Sequence, residues 1–269
     1  MTLLLITNDD GIDAIGLREL VNALIPLGEI LVVAPSTQKS GQGKSVTYTH
    51  PVRLHKEEKF TEHNNVGAYS VDGTPADCVI VGRHLCQENY NQEPDLVIAG
   101  INSGDNTSIH AIFTSGTCAA AIEGGILGIR SIAFSLELPD NELFVKSTNS
   151  RSRFQIAANR AKEIVVQVLN NPLPDKIKVL NINFPNSVNS DTNSKIVGLC
   201  QVKYVDEAIE ALDPRGVPVF WLWGKTKTDL PLETDSFVLL IEKKITITPI
   251  SLNLGDSFLG DLKEYFSQN

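Results

Sequence analysis

The sequence predicts an α/β protein: a mainly parallel, doubly wound sheet followed by a β-rich C-terminal extension. Three observations carry that reading. Short apolar runs at 3–7, 30–34, 96–101, 131–136 and 179–184 lack strict in–out alternation, as strands buried on both faces do. Helix-like segments separate them at 12–25, from 74 onward, at 117–126 and at 150–169, the spacing of a parallel sheet with helical crossovers. From about residue 187 the pattern changes to apolar runs joined by polar turns.

Taken in order, Leu3-Leu4-Leu5-Ile6-Thr7 has strand length. Residues 12–25 place Ile15, Leu17, Leu20 and Leu24 at helical spacing, and Pro26-Leu27-Gly28 stops the helix. The run 30–34 is closed by Pro35 and followed by a polar loop at 36–45. After 69–71, Thr74-Pro75-Ala76-Asp77 is a helix start, with Thr74 as cap, Pro75 at the first helical position and Asp77 at the third. Ala119, Ala120, Ala121, Gly124 and Gly125 suit close packing of helix 117–126 on a sheet. Further strands are expected at 195–205, 217–223, 237–241 and 245–250, and a closing helix near 257–266. Residues 187–235 read as an extension within one 1–269 unit. There Trp221 and Trp223 share one strand face and Phe220 and Leu222 the other, which suits either an arm buried against a second subunit or an ordinary sheet edge.

Composition narrows the partners. The 269 residues are 42% hydrophobic and 20% charged, with 23 Lys+Arg against 32 Asp+Glu, a formal charge of −9. A chain of this length buries a core without disulfide or metal staples. Its acidity disfavours duplex nucleic acid and anionic membranes, although a small phosphate is permitted where a cation reverses the local sign. The first ten residues lack a basic stretch, and two acids end their apolar run, so they do not read as a signal peptide. No apolar run reaches the roughly 18 residues of a membrane span. Cys78, Cys86, Cys118 and Cys200 form no C-x-x-C pair and read as buried thiols in a reducing compartment. Asn106-Thr107-Ser108 spells a glycosylation sequon, here without a secretion signal. The expected location is the cytoplasm.

In open parallel sheets, ligands bind beyond the carboxyl ends of the strands. The first strand delivers Asn8-Asp9-Asp10-Gly11 to that rim, the second delivers Ser40-Gly41-Gln42-Gly43, and strand 96–101 delivers Asn102-Ser103-Gly104-Asp105-Asn106. The next helix opens at Thr114-Ser115-Gly116-Thr117. Two carboxylates, a hydroxyl and a carboxamide suit a hard cation, Mg²⁺ or Mn²⁺, and the helix N-terminus suits an anion. Cation plus anion site implies phosphoryl chemistry. Each residue also has a plainer role: Asp9 and Asp10 as a helix start, Ser40 as a solvated loop residue, Asn102 as a turn. Their joint placement is what favours a site.

Other motifs fail by register. Gly43-Lys44-Ser45 resembles the end of a Walker loop, but Gln38 occupies the earlier glycine position. No G-x-G-x-x-G follows the first strand, and Asn8 stands where a D-x-D phosphatase needs its nucleophile. His50, His55, His63, His84 and His110 form no helical ligand pair; His110, between Asn102 and Ser115, is a candidate proton donor.

These motifs together resemble the SurE family. Thr7-Asn8-Asp9-Asp10-Gly11 looks like its opening, and Val33-Ala34-Pro35 with Ser40-Gly41 and Ser45-Val46-Thr47 like its second motif. Gly73-Thr74-Pro75-Ala76-Asp77-Cys78-Val79 is similar to its third. Pro94-Asp95-Leu96-Val97, Gly100-Ile101-Asn102-Ser103-Gly104 and Ser115-Gly116-Thr117 with Glu123-Gly124 resemble the remainder. The matches run in family order over about residues 3–137, with an echo at 245–249.

The resemblance implies a Rossmann-like core, a metal-dependent phosphatase of nucleoside monophosphates, and a homodimer or homotetramer built through C-terminal extensions. It implies one divalent ion per subunit on Asp9, Asp10, Ser40 and Asn102, with Asp9 and Asp10 catalytic. The phosphate turn falls on Ser115, Gly116 and Thr117, with Asn8, Gly41 and Asn106 nearby. Two departures stand out. Thr114 intervenes between Phe113 and Ser115, and 106–112 lacks the family's usual glycine and paired acids. A non-catalytic nucleotide-binding or scaffold protein, or a phosphatase of short polyphosphate or sugar phosphate, also stays open, because no base-recognition pocket is legible.

Overall fold

The computed structural model describes residues 1–60, 63–142, 151–171, 173–255 and 258–267. Six parallel strands form the middle of a nine-stranded sheet: β1 (Leu3–Thr7), β2 (Glu29–Pro35), β4 (Val66–Val71), β5 (Leu96–Ser103), β6 (Ser131–Leu136) and β7 (Val179–Phe184). β3 (Leu54–Lys56), β8 (Ser194–Ile196) and β11 (Ile245–Ile250) complete the order β3-β4-β2-β1-β5-β6-β7-β11-β8. β3 is antiparallel to β4, and β11 is antiparallel to β7. The fold is the doubly wound, Rossmann-like α/β fold that the buried apolar runs predict.

Alternate residues of each strand feed two cores. Leu4, Ile6, Ile30, Val32, Ile98 and Ile132 face α1 (Ile15–Leu24) and α5 (Arg151–Asn170). Leu3, Leu5, Leu31, Val33, Val97 and Ala133 face α2 (Pro75–Tyr90) and α4 (Gly116–Ile126). With both faces covered, neither has a polar register to show in the sequence. Ala119, Ala120 and Ala121 are fully buried, as close helix–sheet packing requires.

β1 lies inside the sheet, flanked by β2 on one side and β5 on the other. The chain winds outward through β2 and β4, then returns to begin β5 and winds the other way. The crevice between the carboxyl ends of β1 and β5 is therefore the topological switch point, where such sheets bind ligands. A β-bulge sits in β5: Ala99 pairs with Ala133, but Asn102 pairs with Ser135, one residue too many on β5. The bulge puts Ile98 and Ile101 in the same core, although an unbroken strand sends them to opposite faces. Bulges beside sites re-aim side chains in this way, and here the re-aimed residue is Asn102.

Several sequence expectations need correction. α1 begins at Ile15 rather than residue 12, because Gly11 to Ala14 close a turn in which Ala14 N–H donates to Gly11 O at 3.0 Å. A 3₁₀ turn, Ile25–Leu27, follows it. The expected strand 195–205 is split: its start lies in the short β8, and its last two residues open β9 (Tyr204–Leu212), which lies outside the main sheet. The expected strand 237–241 is a helix, α6 (Asp235–Leu240), whose N-cap Thr234 accepts from Phe237 N–H. A short helix, α3 (Ser108–Thr114), was not foreseen. Residues 150 and 257, at the starts of two predicted helices, lie outside the described residues; those helices run as α5 and as α7 (Leu259–Ser267).

The extension contains a feature of its own. β9 and β10 (Pro218–Thr226) form a separate two-stranded antiparallel sheet. It is not an edge of the main sheet. Phe220, Trp221 and Leu222 are 60%, 69% and 82% exposed, so apolar groups on both faces of β10 meet solvent in the single chain.

Candidate active site

Direct bonds tie four separate segments together at the switch point. Asp9 and Asp10 follow β1. Thr117 Oγ1, in the first turn of α4, donates to Asp9 Oδ1. Lys39 N–H donates to the Asp9 carbonyl at 2.7 Å, which holds the 36–45 loop against it. Ser103 N–H, at the end of β5, donates to Asp10 Oδ2 at 2.9 Å. Gln38 Nε2 donates to Asp10 Oδ1 at 3.3 Å and to Ser40 Oγ at 2.9 Å, so one amide joins both predicted ligands. Asn102 Nδ2 donates to Gly104 O at 2.7 Å. Gln38 thus joins Asp10 to Ser40, Asp9 precedes Asp10 in the chain, and Asn102 precedes Ser103, whose N–H reaches Asp10.

The electrostatics of this cluster follow from the burial of two adjacent carboxyls. Asp9 is 3% exposed. Burial first, and the neighbouring Asp10 charge second, push its carboxyl up to about 7 despite the Thr117 bonds. Burial also raises Asp10, against the opposing bonds from Ser103 and Gln38. Two adjacent carboxylates that resist ionising together are relieved by a divalent cation. Among the described residues no three His, Cys, Asp or Glu side chains converge.

The N-terminus of α4 lies beside Asp9. Ser115 serves as C-cap of α3 and N-cap of α4, and its Oγ accepts Cys118 N–H at 3.1 Å. Thr114 is absorbed as the last residue of α3, where its hydroxyl donates to His110 O at 3.0 Å. Gly116 is required by contact: a Cβ there falls 2.6 Å from Asp9 Cβ and 3.0 Å from Asp9 Oδ2. Asp9 Oδ2 therefore faces the first turn of α4 across a gap that only glycine leaves open. Gly116→Ala is expected to displace Asp9 and lower turnover about 10²-fold, the scale of an ångström-sized misplacement. Steady-state phosphate release checks this, and near-native rates count against the contact.

The other predicted residues divide. Asn8 is fully buried, and its side chain closes the turn after β1 through Nδ2 to Gly11 O at 2.9 Å. Asn106 is buried too. Its N–H donates to Asn183 Oδ1, its Nδ2 to Ser135 Oγ, and its carbonyl accepts from Asn181. Both asparagines shape loops of the site from within. Gly41 and Ser40 lie on the exposed crest of the 36–45 loop, and His110 is exposed on α3.

Sequence reading found the Thr74–Asp77 cap of α2 but missed what else these residues hold. Asp77 closes the capping box of α2, and its two oxygens also take Thr47 N–H at 2.9 Å and Thr47 Oγ1 at 2.6 Å. Thr74 Oγ1 donates to Ser45 O at 2.7 Å, and Lys44 pairs with the buried Glu123 of α4. The exposed crest carrying Ser40 is thereby anchored at its far end.

The class these features define is a doubly wound α/β protein with two adjacent carboxyls set against a helix N-terminus at the switch point. Comparison with known proteins narrows the class. The chain belongs to the Survival protein SurE family, whose sequence profile matches residues 4–206. It is 35% identical over 252 residues to the 5'-nucleotidase SurE of Hyperthermus butylicus, covering 94% of this chain and 86% of that one. Identity to the protein of that name from Archaeoglobus fulgidus is 36% over 261 residues, covering 97% and 95%. The crystal structure of SurE from Aquifex aeolicus superposes with a TM-score of 0.79 at 33% identity, over 98% of this chain and 99% of that one.

Proposed function

We propose that the chain is a metal-dependent 5'-nucleotidase, hydrolysing nucleoside 5'-monophosphates to nucleoside and phosphate. The observation that carries this is the Asp9–Gly116 contact, which sets a charge-strained carboxylate pair directly against a helix N-terminus. The names of the relatives from Hyperthermus butylicus and Archaeoglobus fulgidus support the substrate class.

In this reading Asp9, Asp10, Ser40 and Asn102 hold one Mg²⁺ or Mn²⁺ per subunit. When bound, the cation neutralises the two carboxylates, polarises a phosphoryl oxygen and acidifies water. The head of α4, from Ser115 to Thr117, receives the phosphoryl group, with the Gly116 N–H and the helix terminus stabilising its developing charge. Asn8, Gly41 and Asn106 shape the loops around it. Asp9 Oδ2, facing that turn, orients the attacking water and accepts its proton.

Apolar side chains on both faces of a free hairpin are a standing invitation to association. We assign β9–β10 as the arm of a homodimer or homotetramer. The four free cysteines are buried, in keeping with a cytoplasmic protein. No described helix is long and apolar enough to cross a membrane.

The test is phosphate release from a panel of nucleoside monophosphates with Mn²⁺, with Mg²⁺ and with chelator. Release that requires metal is expected, fastest on 5'-monophosphates. Silence across the panel with metal shown to bind refutes the assignment.

A further inference from the structure

Lys203 immediately precedes β9 and is 2% exposed. Its Nζ lies 2.5 Å from Asp105 Oδ1. Its carbonyl accepts the N–H of Lys227, just past β10, at 2.8 Å. Both strands of the hairpin therefore leave the body of the protein at this residue. Asp105 lies three positions after Asn102, and Thr107 donates to it from Oγ1 at 2.6 Å. Beside the pair, the Asp235 carboxylate accepts the N–H groups of Ser108 and Cys200, each at 2.8 Å. Ile109 N–H donates to Cys200 O at 2.9 Å. The hairpin root at 200–203 is thus bonded to residues 105–109.

A buried ion pair is a poor source of stability. Apolar or neutral replacement of both partners is commonly harmless, whereas loss of one strands a charge. What such a pair supplies is a fixed position. The segment it fixes carries Asn102 at one end and runs through α3 to Ser115 at the other. We propose that Asp105 and Lys203 are positioning residues: their contact registers the hairpin root against the 102–109 loop and so sets Asn102 and the phosphate turn. The inference rests on the cation site proposed above.

Calorimetric Mn²⁺ titration and thermal denaturation without metal, applied to wild type, Lys203→Met and Asp105→Asn/Lys203→Met, test it. Lys203→Met alone is expected to lose stability. The double variant is expected to melt near wild type yet bind Mn²⁺ about tenfold to hundredfold more weakly. Recovery of Mn²⁺ affinity together with stability makes the pair merely structural and overturns the inference. Wild type that binds no Mn²⁺ removes the cation reading and this inference with it. Should the double variant not fold, amide hydrogen exchange on wild type decides. Added Mn²⁺ is expected to slow exchange at 103–107 and also at Lys203 and Lys227; slowing confined to 103–107 defeats the coupling.

Discussion

Asp10→Asn is expected to reduce metal-dependent phosphate release about 10³-fold, some 4 kcal/mol of transition-state stabilisation at 1.36 kcal/mol per tenfold. The substitution keeps the size of the side chain and an oxygen that can still face Ser103 N–H. It removes one of the two negative charges that hold a divalent ion. It also removes the repulsion that helps raise Asp9. The metal-free variant should therefore melt no lower than wild type while turning over far more slowly. Circular dichroism, melting temperature and steady-state phosphate release separate the two effects. Turnover within a few-fold of wild type, with fold intact, would falsify the role given to Asp10.

The rim set was legible because each member lies at or beyond the carboxyl end of a strand whose apolar run is itself legible. Once β1, β2 and β5 are assigned, Asp9, Asp10, Ser40 and Asn102 must share one edge. What holds them there was not legible. Thr117 on Asp9, Thr47 on Asp77 and Lys203 on Asp105 are pairings between residues far apart in sequence, and no local pattern announces them. The β5 bulge left only a weak trace, a glycine at position 100 inside an apolar strand. The misreading of 237–241 has a different cause. A short apolar run fits strand and helix equally, and the deciding feature was Thr234, three residues before Phe237, acting as a cap. In the extension, β8 joins the main sheet in parallel with β11, so β-rich was correct there without implying one continuous structure.

Mn²⁺ affinity is expected to rise by up to about tenfold per pH unit between pH 5 and pH 7 and to level off above. Asp9 has an ordinary value of 3.8 and is pushed up to about 7 in the folded, metal-free chain, by burial and then by Asp10. Below 7 a bound cation must displace that proton; above 7 the carboxylate is already bare. The same shift fixes the sign for stability. Between about 4 and 7 the folded state holds a proton that the unfolded chain has released, so the metal-free protein loses stability as pH rises through that window. Burial raises Asp10 in the same direction. Asp77 and Asp105 are held below their ordinary value and stay ionised in both states there, so they do not oppose the trend. Cation binding should reverse it, with Mn²⁺ raising the melting temperature more at about pH 8 than at about pH 5. Asp9→Asn should weaken both dependences without abolishing the stability trend, because the raised Asp10 and Asp235 carboxyls remain. Melting curves with and without Mn²⁺ across that range are the check. An Mn²⁺ effect independent of pH in wild type would mean that Asp9 is not the group that exchanges its proton for the metal.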